Sequence, residues 1–340
     1  MIRIGNGQGG RPDWPEAPVS LIEQEPLDYL TFDCVGVARL ARLERRRRNA
    51  PEFGYAREFP PLAARIARRI RERGVRVLTN AGGANPADCA REVRRLAPGL
   101  RIAFVTGDSI LDQLDALLAA GHELCSLDTG EPLASIRGRI LSAHVFMGAF
   151  PLAEALSTGA DVVIAGCAAG TDLALGAMIR HFGWTPGDHG LLAAGAVAGH
   201  VIAGGARAGG GDGESGLGCP IAEVDPDGCF TITRHKCAGG HAGVNAAKER
   251  LLSGIGDPRR VPAADCTADI TGVRMDGAGA DRVRVTGVRG GPPPEPRAAI
   301  GYHYGWKAVA TLVYRPPRAA AAARAAADIL RARLLELGTE

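Results

Sequence analysis

The chain has 340 residues, 46% hydrophobic and 23% charged, with a formal net charge of +3. That is the composition of an ordinary globular protein of one large domain or two. So small a charge gives no footing for nucleic-acid binding, and 5% aromatics leave little to stack on single strands. No apolar stretch is long and clean enough to span a bilayer, so no membrane partner is expected. Residues 1–5 read as a strand entering a glycine loop, not as a signal peptide. The eight cysteines are scattered, with no C-x-x-C pair. Neither a disulfide framework nor a metal site is expected from them, and a reducing cytoplasm is the expected setting.

In chain order, strand 2–5 runs into a loop holding Asn6, Gln8, Gly9 and Gly10. The loop lacks G-x-G-x-x-G spacing and an apolar helix after it; Arg11-Pro12-Asp13-Trp14-Pro15 follows instead. This excludes a standard nicotinamide site, and no Walker-type Gly-Lys-Thr is present, so no cofactor is expected. A second strand over 27–32 ends at Asp33, and Arg45-Arg46-Arg47-Arg48 reads as a solvated helix end. Leu62, Ile66 and Ile70 recur at helical spacing. Strand 75–79 precedes a helix over 86–96, and strand 101–106 ends at Gly107-Asp108. Strands over 140–146 and 161–165 follow, then a helix from Thr171 and a buried, Gly/Ala-rich helix from Leu191. Such alternation predicts an α/β fold, a largely parallel sheet with helices on both faces.

The character changes after residue 208. Gly209-Gly210-Gly211-Asp212-Gly213 breaks the chain, and strands 221–224 and 229–233 flank the turn Asp225-Pro226-Asp227-Gly228. A second hairpin pairs 273–275 with 282–286, Gly290-Gly291-Pro292-Pro293-Pro294 reads as a surface connection, and a strand is expected over 306–314. The helix from Arg318 offers Ile329, Leu330, Leu334 and Leu335 to a partner surface, which makes a homo-oligomer the expectation. Two domains are therefore expected: an α/β domain over 1–208 and an α+β domain over 209–340.

The segment richest in functional signal is Asn80-Ala81-Gly82-Gly83-Ala84-Asn85-Pro86, directly behind the strand at 75–79. Glycines at a strand end allow a ligand to approach the backbone, and a helix opening on proline presents free N–H groups to an anion. Asn80, Gly82, Gly83 and Asn85 are thus expected to bind an anionic or carbonyl-bearing ligand. Gly107 lies at a comparable strand end.

These stretches also form an ordered set. Leu27-Asp28-Tyr29-Leu30 with Asp33, the segment at 77–86, Gly107-Asp108, Gly148-Ala149-Phe150-Pro151, Gly159-Ala160-Asp161-Val162-Val163-Ile164 with Asp172, Gly199-His200, Pro220-Ile221-Ala222-Glu223-Val224 and Ile255-Gly256-Asp257-Pro258 occur in one order along the chain. In that order the sequence resembles the acyclic terpene utilisation AtuA family. The resemblance implies a cytoplasmic protein of acyclic terpenoid and branched-acid catabolism, whose neighbours handle acyl-CoA thioesters. The chain departs from the family pattern at Ala165-Gly166-Cys167, Cys219, His144 and Cys237-Ala238-Gly239-Gly240. Those changes in the expected pocket point to a specialised substrate, secondary-metabolite biosynthesis being one option.

Asp33, Asp108 and Asp172 each fall at or just beyond a strand end, as does Asn80. In a parallel sheet these ends converge on one edge, where carboxylates beside backbone donors can move a proton α to a carbonyl. Helix capping is the competing reading of each aspartate. His144 is a further acid/base candidate, set against a satisfied buried histidine. Cys167, before the helix at Thr171, reads as a buried inert cysteine, the alternative being a substrate-binding thiol that gains thiolate character from the helix N-terminus. Cys237 with His235 forms a possible nucleophile and base; with His241 they have metal-binding chemistry but no standard spacing, and Gly239 and Gly240 shape that loop. Glu223 is expected to be exposed on its strand, the alternative being an acid aimed into a cleft between the domains, while Tyr302, His303, Tyr304 and Trp306 read either as an aromatic pocket wall or as sheet packing.

The residues and the resemblance together imply an enzyme acting on a small acyl substrate, a thioester or carboxylic acid, by lyase, hydratase or isomerase chemistry. The alternatives are cysteine-dependent covalent catalysis and a non-catalytic acyl-binding or assembly subunit.

Overall fold

Short apolar runs supply the central strands, and helices between them cover both faces of the sheet they form. In chain order the first elements are β1 (Ile2–Asn6), α1 (Ala17–Gln24), β2 (Tyr29–Phe32), α2 (Val37–Asn49), α3 (Phe59–Arg73), β3 (Arg76–Thr79), α4 (Pro86–Leu96), β4 (Ile102–Val105) and α5 (Leu114–Ala119). Next come β5 (Ile140–Val145), α6 (Phe150–Ser157), β6 (Val162–Ala165), α7 (Gly170–Phe182), α8 (His189–Ala203), β7 (Pro220–Val224), β8 (Phe230–Arg234) and α9 (Val244–Leu252). The last are β9 (Val261–Pro262), β10 (Thr267–Asp269), β11 (Arg274–Gly277), β12 (Val283–Thr286), β13 (Arg289–Gly291), β14 (Ala298–Tyr302) and α10 (Ala319–Glu336). This computed structural model describes residues 1–7, 16–203, 219–235, 243–305, 309 and 311–338.

A nine-stranded sheet runs in the order β11-β12-β8-β7-β1-β2-β3-β6-β4. The β1-β2-β3-β6-β4 half is parallel, as the alternation predicts. The period of two along each strand sorts its side chains onto two cores. Leu78 and Val163 join Ile2, Ile4 and Leu173 in one; Val77, Val162 and Ile164 join Leu30, Phe32 and Ile66 in the other. Helices α6, α7 and α8 cover the first face, and α1, α3 and α4 the second.

Both expected hairpins form, but they extend the main sheet. β7 pairs antiparallel with β1, β8 with β7, and β12 with β8. The expected boundary at residue 208 thus falls inside a continuous sheet, and the compact units run from Met1 to Tyr302 and from His303 to Glu340. β5 departs from the expected alternation: it pairs antiparallel with β14, outside the parallel set. The expected surface connection begins inside β13, which pairs with β10. The strand expected over 306–314 does not form among its described residues, 309 and 311–314. In the second unit α10 forms as expected and has no buried residue; Ile329 and Leu335 are 65% and 68% exposed.

Phe230 of β8 is fully buried in the core that also holds Ile2 and Ile4. Phe230→Ala should cost about 3–5 kcal/mol in chemical denaturation, as for a large aromatic lost from a shared core. A loss below about 1 kcal/mol would contradict the placing of β8 in the main sheet's core.

Candidate active site

Three strand ends meet through one side chain. Asn80, which follows β3, has no exposed surface. Its Oδ1 accepts the N–H groups of Cys34 at 2.6 Å and Val35 at 3.0 Å. Its Nδ2 donates to Asp33 Oδ1 at 2.7 Å and to the Ala168 carbonyl at 2.9 Å. The loops after β2, β3 and β6 are thereby pinned together at the carboxyl edge of the sheet. The amide is spent on the protein, so Asn80 positions the edge and is not itself a donor to a ligand.

The glycines behind it are packed in the same way. A Cβ on Gly82 would lie 2.5 Å from the Ala165 carbonyl oxygen, and one on Gly83 would lie 2.7 Å from Leu43. Gly83 has φ of +52° and donates its N–H to the Asn80 carbonyl. Asn85 caps α4, accepting from the Asp88 N–H at 3.3 Å, while its Nδ2 donates to the Pro51 and Phe53 carbonyls. The segment expected to cradle a ligand is a close-packed turn and a helix cap. Gly107 supplies a left-handed φ of +106° just before Asp108.

Asp108 and His144 form a buried ion pair. Asp108 Oδ2 lies 2.8 Å from His144 Nδ1 and accepts the Cys167 N–H at 3.0 Å. Glu44, from α2, reaches within 3.6 Å of His144 Nε2, an ion pair rather than a hydrogen bond. Burial alone would lower the pKa of His144, but the two carboxylates outweigh it and raise it to about 9. At neutral pH His144 is therefore a fixed imidazolium, which unsuits it to be a general base and makes it the counter-charge beside Asp108.

Asp172 has a different environment. It sits in the first turn of α7, 2% exposed, and accepts the Ala169 N–H at 3.0 Å. Desolvation pushes its pKa up to about 7; the Ala169 hydrogen bond opposes this, and Asp265 and Asp33 add to it. Asp265 is likewise raised by burial, against a 2.6 Å hydrogen bond from the Ala149 N–H. Gly148 makes that seat: its φ is +74°, and a Cβ there would lie 2.6 Å from Asp265 Oδ1. Asp172 and Asp265 line one cavity of about 470 Å³. The remainder is mostly apolar, with Met147, Val197, Leu251, Ile255 and Pro262 among its walls, and Thr171 and His200 as polar neighbours. His200 Nε2 donates to the Leu251 carbonyl over 3.2 Å, and its pKa is lowered by burial and by Arg250, so it faces the cavity as a neutral imidazole.

The cysteine expectations fare otherwise. Cys167 is buried, and its thiol is pushed up to about 12 by desolvation, reinforced by Asp108 and Asp172. Of the two readings of Cys167 the buried thiol holds, because a dry setting and two carboxylates outweigh the helix dipole. Cys237, Gly239, Gly240 and His241 lie outside the described residues. Both ring nitrogens of His235 are engaged, by Ser20 and Glu25, so it is not held in reserve as a base for Cys237. No metal-binding cluster occurs among the described residues. Glu223, expected at the surface, is 7% exposed and paired with Arg282 and Arg3. Tyr302 ends β14, His303 and Tyr304 follow it outside any strand, and Trp306 lies outside the described residues.

A family model described as acyclic terpene utilisation family protein AtuA matches residues 2–340. The chain belongs to the AtuA family. No curated protein and no solved structure matches it. Among the described residues, no helix is long and apolar enough to cross a membrane.

Within this AtuA-family chain the strand-end acids foreseen in the sequence do gather at the carboxyl edge. Asp265, Glu44 and the cavity itself were missed. A lone aspartate in the apolar stretch Ala263-Ala264-Asp265-Cys266 was the one available signal.

The Asp108–His144–Glu44 cluster fixes a pH dependence. The folded pKa of His144, about 9, lies above the ordinary histidine value, so its stabilisation is complete below about pH 6.5 and is lost as pH rises through 9. His144→Gln should flatten the stability profile between those values in denaturation titrations. An unchanged slope would contradict the buried imidazolium.

Proposed function

We propose that this chain is an acid/base enzyme of terpene or branched-acid metabolism, working on an acyl thioester or carboxylic acid by lyase, hydratase or isomerase chemistry. The observation that carries the reading is the Asp172 carboxyl, poised near neutrality at the polar end of an apolar cavity. A general acid/base works best with a pKa close to the operating pH. The cavity volume falls in the range of small-molecule sites, and its apolar walls suit a branched hydrocarbon chain.

In this reading the acyl chain lies along Met147, Val197, Leu251 and Ile255, and its carbonyl end faces α7. Asp172 takes or returns the proton next to the carbonyl. The Thr171 hydroxyl is the neutral donor available to the carbonyl oxygen. Asp265 keeps the Asp172 proton affinity high by its nearby charge. Arg297, exposed at the cavity wall, suits the anionic portion of a thioester carrier. The covalent cysteine route loses support at Cys167, whose thiol is held protonated.

Asp172→Asn separates this reading from a pure acyl-binding subunit. Turnover, or exchange of the α-hydrogen with D₂O, should fall about 10²–10⁴-fold across a panel of branched acyl-CoA thioesters and free acids. Binding in native mass spectrometry should persist. The same variant has a stability signature. Because the folded pKa of about 7 is above the ordinary carboxylate value, burying Asp172 costs stability increasingly as pH rises from about 4 through 7. Asp172→Asn should thus be more stable than the parent at pH 8. Unaltered turnover in that variant would refute Asp172 as the proton carrier.

A further inference from the structure

A second constellation lies away from the Asp172 cavity, between α1 and the end of β8. Ser20 is on α1, Glu25 follows it, and His235 follows β8. Ser20 Oγ is 2.9 Å from His235 Nε2. His235 Nδ1 is 3.0 Å from Glu25 Oε1. Glu25 is itself held by Arg3, whose Nη2 lies 3.3 Å from Glu25 Oε2. His235 is more than two hundred positions from Ser20 and Glu25 in sequence, yet the three form a linear hydroxyl–imidazole–carboxylate relay.

The placement matches the distances. β8 runs antiparallel to β7, and β7 to β1, with Ile221 opposite Gly5 and Pro220 opposite Arg234. The end of β8 therefore reaches the same sheet edge as the carboxyl ends of the parallel strands, where open α/β sheets bind ligands. His235 is fully buried, its N–H anchored on the Cys219 carbonyl. Ser20, by contrast, is half-buried.

The chemistry of such a relay is directional. Glu25 accepts the Nδ1 hydrogen and so leaves Nε2 as the acceptor, which is the tautomer that withdraws the proton of Ser20. A buried imidazole has two ring nitrogens to satisfy; here the partners are a hydroxyl on one side and a carboxylate on the other, so that serine, base and the base's orienter are each within hydrogen-bond reach of the next.

We propose that Ser20, His235 and Glu25 form a serine acyl-transfer site that cleaves an ester or thioester. Ser20 Oγ bonds to the acyl carbon while its proton passes to His235 Nε2. The bond from that carbon to sulfur or oxygen breaks, and the departing thiol or alcohol takes the proton from Nε2. Water then adds to the acyl carbon, giving its proton to Nε2, and the acyl–Ser20 bond breaks to release the acid and restore the serine. None of the three residues lines the Asp172 cavity, so this site stands or falls independently of the acid/base reading.

The test is fluorophosphonate labelling of the full-length protein, with the modified peptide mapped by mass spectrometry. Ser20 should carry the label, and Ser20→Ala should abolish it. His235→Gln should slow labelling about 10²-fold or more, and Glu25→Gln should slow it to a lesser extent. Asp172→Asn should label at the parent rate. Because His235 is buried, Glu25→Gln carries the test should His235→Gln fail to fold; circular dichroism of each variant decides that. Absence of label on Ser20 in the folded protein, or equal labelling in Glu25→Gln, would overturn the proposal.

Discussion

The carboxyl edge of this sheet is organised by one buried amide. A carboxamide has two donors and a carbonyl acceptor, and Asn80 spends them on the loops after β2 and β6, while its own backbone continues β3. Removing it would strand the Cys34 and Val35 N–H groups in a dry interior, each at about 1–3 kcal/mol. The loop it fixes at Ala168 is the one whose next residue, Ala169, donates to Asp172. The catalytic proposal therefore rests mechanically on a residue that touches no substrate.

Around that clamp the same residue type stands in opposite surroundings. Asp108 has an imidazolium beside it and a backbone N–H aimed at it. Asp172 has one backbone N–H, the favourable end of the α7 dipole, and other carboxylates for neighbours. An acid short of counter-charge, as Asp172 is, is left able to exchange its proton near neutrality. Separation of nearby titratable groups by environment is how one site obtains both a fixed charge and a proton carrier. Burial decides the outcome at Cys167 too, where it defeats the helix N-terminus.

Much of the fold was legible in the sequence because it rests on local periodicity. The helix over 86–96 and the strand ends at Asp33, Asn80 and Asp108 are written in short stretches. What was not legible rests on long-range pairing. β5 reads like a core strand, yet its partner is β14, more than one hundred and fifty residues on. β7 and β8 read as the start of a new domain, yet β1 has an open edge that they complete. Asn80 to Asn85 looked like a ligand loop because close packing of backbone against backbone demands the same glycines as close approach of a ligand. Asp265 and the Ser20–His235–Glu25 relay carry no local signature, since each depends on segments that meet only in the folded chain.

The most direct test of the account is the titration of Asp172 itself, followed by carbon NMR of aspartate-labelled protein, with Asp172→Asn assigning the resonance. The account predicts a carboxyl that titrates with an apparent pKa of about 7, well above an exposed aspartate. A carboxyl that titrates at or below the ordinary value, near 4, would mean that Asp172 is a charged helix cap, and the acid/base reading of this cavity would be wrong.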